Sequence, residues 1–197
     1  MKNFLLAILA ATIIMACGCS SEPTKPATPQ ETQPKAPETT TGNGAFFKCY
    51  TAARGWQGDV QGFREESGPS KTGDGKAAEW RINFASPTQR VARAYTWKNG
   101  DIEHGSDDSY SPGNSSTMVF NFQALKIDTD KAFAVAQTHG GDKVLEKTPD
   151  TNVFYVLEWN HLTGSLLWHV IYGPDRDHPV LRIAVNASTG LFSKVEK

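Results

Sequence analysis

Cysteine is scarce in this chain: residues 17, 19 and 49 are the only three among 197. Two of them lie beside each other near the start, so no disulfide framework can hold a fold together, and the folded part must rely on its core. Cys49 has no intramolecular mate unless Cys19 is left free, and it reads as a buried, core-filling thiol. Basic charge is not in excess either. Twenty Lys and Arg stand against 21 Asp and Glu with no basic stripe, which argues against nucleic acid as a partner.

Long apolar runs are missing. The longest, Phe4 to Ala16, has thirteen residues, short of the roughly 20 that cross a bilayer. Metal and cofactor motifs are missing as well. His104, His139 and His161 have no zinc-type pairing such as H-E-x-x-H. Gly68-Pro-Ser-Lys-Thr-Gly-Asp-Gly-Lys76 fails as a phosphate loop, because Lys does not follow the second glycine, no Ser or Thr follows the Lys, and a strand pattern comes next. Neither a cofactor nor a metal site is therefore expected. The loop Gly173 to Pro179 carries Asp175, Asp177 and His178 but lacks the ligand count and closing Glu of a calcium loop, so it reads as a turn.

At the N-terminus, Lys2, the short apolar core and the small residues before Cys17-Gly18-Cys19 form a secretory signal over residues 1–18. The segment resembles a bacterial lipoprotein signal with its lipobox, which Ile14-Met15-Ala16-Cys17 fits and Ala16-Cys17-Gly18-Cys19 also fits. Cys17, the first cysteine after the core, is the expected lipidation site and Cys19 the alternative. A cleaved signal whose cysteines pair in a disulfide is the competing reading. A lipid-modified cysteine would hold the protein at a membrane. The absence of Asp after either cysteine is compatible with the outer membrane or its periplasmic face. Residues 19–44 are rich in Pro and Thr, with no aromatic residue, and are expected to form a disordered tether reaching up to ~75 Å.

About 150 residues remain, enough for one larger domain or two small ones. In the second half, Ala132, Val135 and Ala136 form an apolar helical stripe with Phe133 beside it, Asp128 as N-cap and Gly140-Gly141 as the stop. Three strand patterns follow. Val153, Tyr155, Leu157 and Trp159 share one face; Leu166, Trp168, Val170 and Tyr172 share another; Leu181, Ile183 and Val185 join the same side. A tight turn at Thr163-Gly164 would set Trp159 opposite Trp168, Leu157 opposite Val170 and Tyr155 opposite Tyr172. On the other face it would set Glu158 opposite His169, with Arg182 alongside.

The form D-x-x-K-A-x-x-x-A…G-G followed by V-N-A-S-T-G resembles the PepSY domain. The matching residues are Lys131, Ala132, Ala136, Gly140 and Gly141, then Val185, Asn186, Ala187, Thr189 and Gly190, with Asn186 where the family has Asp. The resemblance covers about 70 residues. It implies a small extracytoplasmic α+β module that binds or inhibits rather than catalyses, and it brings no catalytic residues.

The first half reads as a worn copy. Phe46, Phe47, Cys49, Tyr50 and Ala53 form a helix pattern ending near Gly55. Trp80, Ile82 and Phe84 alternate as a strand, Val91 to Trp97 form another, and Met118, Phe120 and Phe122 a linking strand reaching Ile127. Ala94 to Gly100 aligns with Ala184 to Gly190. The expected fold is α+β: two small modules, 45–125 and 126–197, each a helix on a meandering antiparallel sheet. One continuous sheet, or one domain with a decorated first half, is the alternative.

Glu158, His169 and Arg182 are the candidate binding residues, since an acid, a base and a cation on one face can hold a polar ligand or move a proton. A plain cross-strand charge pair on a solvated or half-covered face is the simpler reading and the favoured one. The five tryptophans are expected in the core, an exposed subset being a binding platform. The reading is a lipid-anchored envelope protein, non-catalytic, recognising a protein or peptide through this face or through an open sheet edge. A small-ligand or metal-binding lipoprotein is the runner-up, and an enzyme using His169 with Glu158 a third class.

Overall fold

In the computed structural model the described residues are 37–71 and 73–196. The expected signal, both lipidation cysteines and most of the tether lie outside them. The tether expected to end at 44 ends earlier: strand β1, Thr40–Thr41, pairs with β3, Lys76–Ala77, and helix α1, Gly42–Trp56, follows at once. The pull is physical, since Trp80 Nε1 donates to the Thr40 carbonyl at 3.0 Å and fixes the chain over the core.

After α1 come β2 (Gln61–Ser67), β4 (Glu79–Ser86), β5 (Val91–Lys98), β6 (Asp101–His104) and the short β7 (Asp108–Ser109). The second half has α2 (Thr129–Ala136), α3 (Asp142–Lys147), β8 (Asn152–Asn160), β9 (Ser165–Gly173), β10 (Leu181–Asn186) and β11 (Phe192–Glu196). Nine strands form one open sheet in the order β11-β10-β9-β8-β2-β4-β5-β6, with β7 beside β5. Each half is thus a helix layer and a four-stranded antiparallel meander, and the two meanders meet where β2 pairs with β8. The segments that align in sequence, Ala94 to Gly100 and Ala184 to Gly190, end the third strand of each meander, and both close on a positive-φ glycine.

The halves share one core. Phe46 and Cys49 of α1, Trp80, Ile82, Phe84 and Trp97 of the first meander, and Tyr155, Leu157, Trp168, Tyr172, Ile183 and Val185 of the second belong to one buried cluster beneath the helices. This is the hydrophobic alternation read in the strands, with these inward side chains removed from water. Trp80, Trp97 and Trp168 are fully buried, as expected of core, while Trp56 and Trp159 only pack against that core.

Two expectations are corrected and one is extended. The stretch Met118 to Ile127 is not a strand: its β-pairing is limited to the Phe120–Gly62 bridge, Trp168 Nε1 donates to the Ile127 carbonyl, and short 3₁₀ turns lie just before it, Ser115–Thr117, and within it, Phe122–Ala124. Gly140 does break the helix, turning the chain with φ 115° as its freedom allows, and a further helix that the sequence reading lacked, α3, runs from Asp142. The hairpin register is displaced by two residues: Trp159 lies opposite Leu166, Leu157 opposite Trp168 and Tyr155 opposite Val170. Asn160 causes this. Its side chain accepts from the N–H groups of Leu162 and Thr163, at 3.0 and 3.2 Å, and so makes the loop four residues, 161–164, instead of two. An even displacement leaves every side chain on its predicted face.

Candidate functional site

The helices cover one face of the sheet; the other face carries its charge. His169 projects from the middle of β9 on this outward face and is only 6% exposed. Its Nδ1 donates to Glu196 Oε2 at 2.7 Å, an arm reaching back from the last strand over the small side chain of Ala184. Its Nε2 lies 3.4 Å from Glu158 Oε1 without forming a hydrogen bond, and no other partner meets it. Glu158 is not opposite His169, as expected, but opposite Leu167; the carboxylate reaches the imidazole on the diagonal.

From Glu158 the polar contacts continue. Arg64 bridges Glu158 and Glu66, and Arg176, in the β9–β10 loop, donates to Glu66 at 2.6 Å. At the other end Lys194 sits 3.1 Å from Glu196. The result is an alternating ladder, Arg176–Glu66–Arg64–Glu158–His169–Glu196–Lys194, laid across the outward face. Beneath part of it lies a small apolar strip of Phe154, Val156 and Ile171, buried to within 7%, which charged side chains with long alkyl stems can shield from water.

The electrostatics follow from this order. The hydrogen bond from His169 is the main reason why the Glu196 carboxyl falls to about 2, with burial opposing and Lys194 adding to the effect. Glu66 is lowered despite its burial, because both arginines hold the charged form. Arg64 is raised by the two carboxylates against the cost of burying it.

A hollow of about 360 Å³ opens beside His169. Phe63, Arg64, Glu158, His169 and Glu196 line it, with Ser115, Ser116 and Met118 on one rim and the β8–β9 loop with His161 and Leu162 on the other. A β-bulge between Gly62 and Arg64 adds one residue to β2 there, so that both Phe63 and Arg64 reach the hollow. Glu158 and His169 therefore come together as the sequence implied. Arg182 shares their face but does not line the hollow; it points towards the Arg176 carbonyl at 3.5 Å, and its Nε has no partner. Glu196, Arg64, Glu66 and Arg176 were missed. For the three on strands the only signal was strand phase, which the bulges in β2 and at Ala184/Val185 obscure, and for Arg176, in a loop, there was none.

Among the described residues no three His, Cys, Asp or Glu side chains converge to hold a metal ion. In the Gly173–Pro179 loop, Asp175 accepts from the backbone of Asp177 and His178 and from the His178 ring, so its carboxylate is used within the turn. No described helix is long and apolar enough to cross a membrane.

No protein-family model matches this chain, and no curated protein matches it. It is similar in structure to a "putative lipoprotein" from Clostridium difficile 630, known from its crystal structure, with a TM-score of 0.51 and 10% identity over 77% of this chain and 91% of that one. At that identity the likeness is one of fold: an open α+β sheet with helices on one side.

Proposed function

We propose that this chain is a lipid-anchored, extracytoplasmic protein of the bacterial envelope, non-catalytic, that recognises a protein or peptide through the outward face of its sheet. One observation carries the recognition part: a ladder of charged side chains borders an open hollow whose floor is the buried His169 ring and whose rims mix polar residues with the apolar Met118 and Leu162. A few convergent polar groups at a buried floor, with apolar contact beside them, are how surfaces fix the orientation of a side chain. The anchor rests on the Cys17 lipobox, in keeping with the description of the structural neighbour as a lipoprotein. The PepSY resemblance of residues 128–190 fits a binding module, and there the amide oxygen of Asn186 does what Asp would do, accepting from the N–H groups of Ser188 and Thr189.

In support of the non-catalytic reading, Ser115 and Ser116 line the same hollow, and neither hydroxyl hydrogen-bonds His169 Nε2. The test is photo-crosslinking in the native envelope from position 162, where Leu162 is 83% exposed on the rim. One defined envelope protein should be captured there, with capture lost in His169→Ala and in Glu158→Ala and absent from a crosslinker at Val180. Capture that ignores both substitutions, or equal capture at both positions, rejects the reading. Cys17→Ala should release the protein from membranes; release by Cys19→Ala alone moves the anchor.

A further inference from the structure

We infer that the hollow beside His169 takes the side-chain ammonium of a lysine from the partner. This rests on the reading of the outward face as a recognition surface and adds the chemistry that it selects.

The argument starts from hydrogens. A carboxylate only accepts, so the 2.7 Å contact to Glu196 requires a hydrogen on His169 Nδ1. In the neutral ring Nε2 is then a lone pair. It faces Glu158 Oε1, a second acceptor, at 3.4 Å, with no donor between them. The other Glu158 oxygen is taken by Arg64, whose own charge is shared between Glu158 and Glu66. Two adjoining acceptors at the floor of a hollow call for a donor with several hydrogens and a positive charge. An ammonium has three. The chain already satisfies the next carboxylate in this way, with Lys194 on Glu196. The hollow also suits the rest of a lysine, because Phe63, Met118 and Leu162 offer apolar contact to a four-carbon stem.

A proton on Nε2 would supply the same positive charge, so ring protonation and lysine compete. Glu158 of β8, Glu196 of β11, Arg64 of β2 and Lys194 behind Glu196 are the charged groups around that ring, with Arg182 of β10 on the same face.

The experiment is an NMR titration of the full-length protein with Nα-acetyl-lysine methylamide, alongside the norleucine and glutamate analogues. The lysine compound should shift the His169 ring and the Leu162 and Met118 methyl signals. Norleucine should bind about tenfold more weakly or worse, as should lysine to Glu158→Gln, this being the loss of one charge-assisted hydrogen bond. Norleucine binding equally well, glutamate binding better, or no response at these signals overturns the inference. Acetylating the lysines of the partner captured from position 162 separates the two levels. Capture that survives acetylation rejects the lysine while the recognition surface stands; capture that never occurs rejects the surface itself.

Discussion

Asp128 Oδ1 accepts the backbone N–H of Asn43, 85 positions earlier in the chain, at 2.9 Å, and the N–H of Thr129 at 2.7 Å. One carboxylate thus caps α2 and binds the first turn of α1, while Thr129 Oγ1 takes the neighbouring N–H of Gly42. The helix layers of the two halves are tied at this point. Each such cap is worth about 1 kcal/mol, and the carboxylate also sits at two positive helix ends. Asp128→Ala should therefore cost about 2–3 kcal/mol in urea denaturation, and Asp128→Asn less. A loss below about 1 kcal/mol would mean that the shared cap does not tie the layers.

Asp128 as an N-cap was readable, because capping is local chemistry. Its second role was not, since nothing near Asn43 reveals a partner so far along the chain. The strands show the same division. Alternation gave the buried faces of β4, β5, β8, β9 and β10, and an even register displacement could not spoil them. The partners across the hairpin depended on Asn160 bonding to its own loop, and the charged ladder depended on two bulges and on a strand that folds back from the C-terminus. Such contacts arise from tertiary geometry and leave little trace in spacing.

Glu65 lies on the inward face of β2, fully buried, with no hydrogen-bond partner for either oxygen. Burial, and next the nearby Asp128, push its carboxyl well above the ordinary range. The folded state consequently holds this proton more tightly than the unfolded chain does. Its contribution is fully present below the unfolded value and is lost as pH rises through the folded one. Glu65→Gln should flatten that loss, matching the parent at pH 4 and exceeding it at pH 8. Glu65→Leu removes the unpaired polar group altogether and should add about 1–3 kcal/mol at pH 8. Urea midpoints across this range decide it, and a parent whose stability does not fall from pH 5 to 8 while Glu65→Gln tracks it speaks against a neutral buried acid.

Cys49 faces the same core from α1 and is fully buried. Burial chiefly, with Glu65 adding to it, pushes its thiol up to about 12, so very little thiolate exists at pH 8. Iodoacetamide should leave Cys49 unmodified in the native protein and alkylate it in denaturing urea, as followed by peptide mass spectrometry. Cys49→Ser would put a hydroxyl where no partner waits, at a cost of about 1–3 kcal/mol, whereas Cys49→Ala should cost less. Rapid native labelling would place this residue in an opening segment rather than in the core.

Glu196 offers the opposite sign of pH dependence. Its carboxyl is held at about 2, mainly by the His169 hydrogen bond, against an ordinary value of 4.5. Stability from this contact is present above the unfolded value and disappears as pH falls towards the folded one. Solvent around the site screens the interaction, so about 1–2 kcal/mol at pH 7 is the reasonable scale. Glu196→Gln should lose that amount at pH 7 and little at pH 2, and it should raise amide exchange in Phe192–Glu196, because the edge strand β11 then keeps only its backbone pairing with β10 and the stacking of Phe192 on His139. Glu196→Gln combined with His169→Ala should cost less than the sum of the two single changes. Strict additivity would mean that the imidazole and the carboxylate do not hold each other, and the strand that completes the hollow would then owe its position to its backbone pairing and to the stacking of Phe192 on His139.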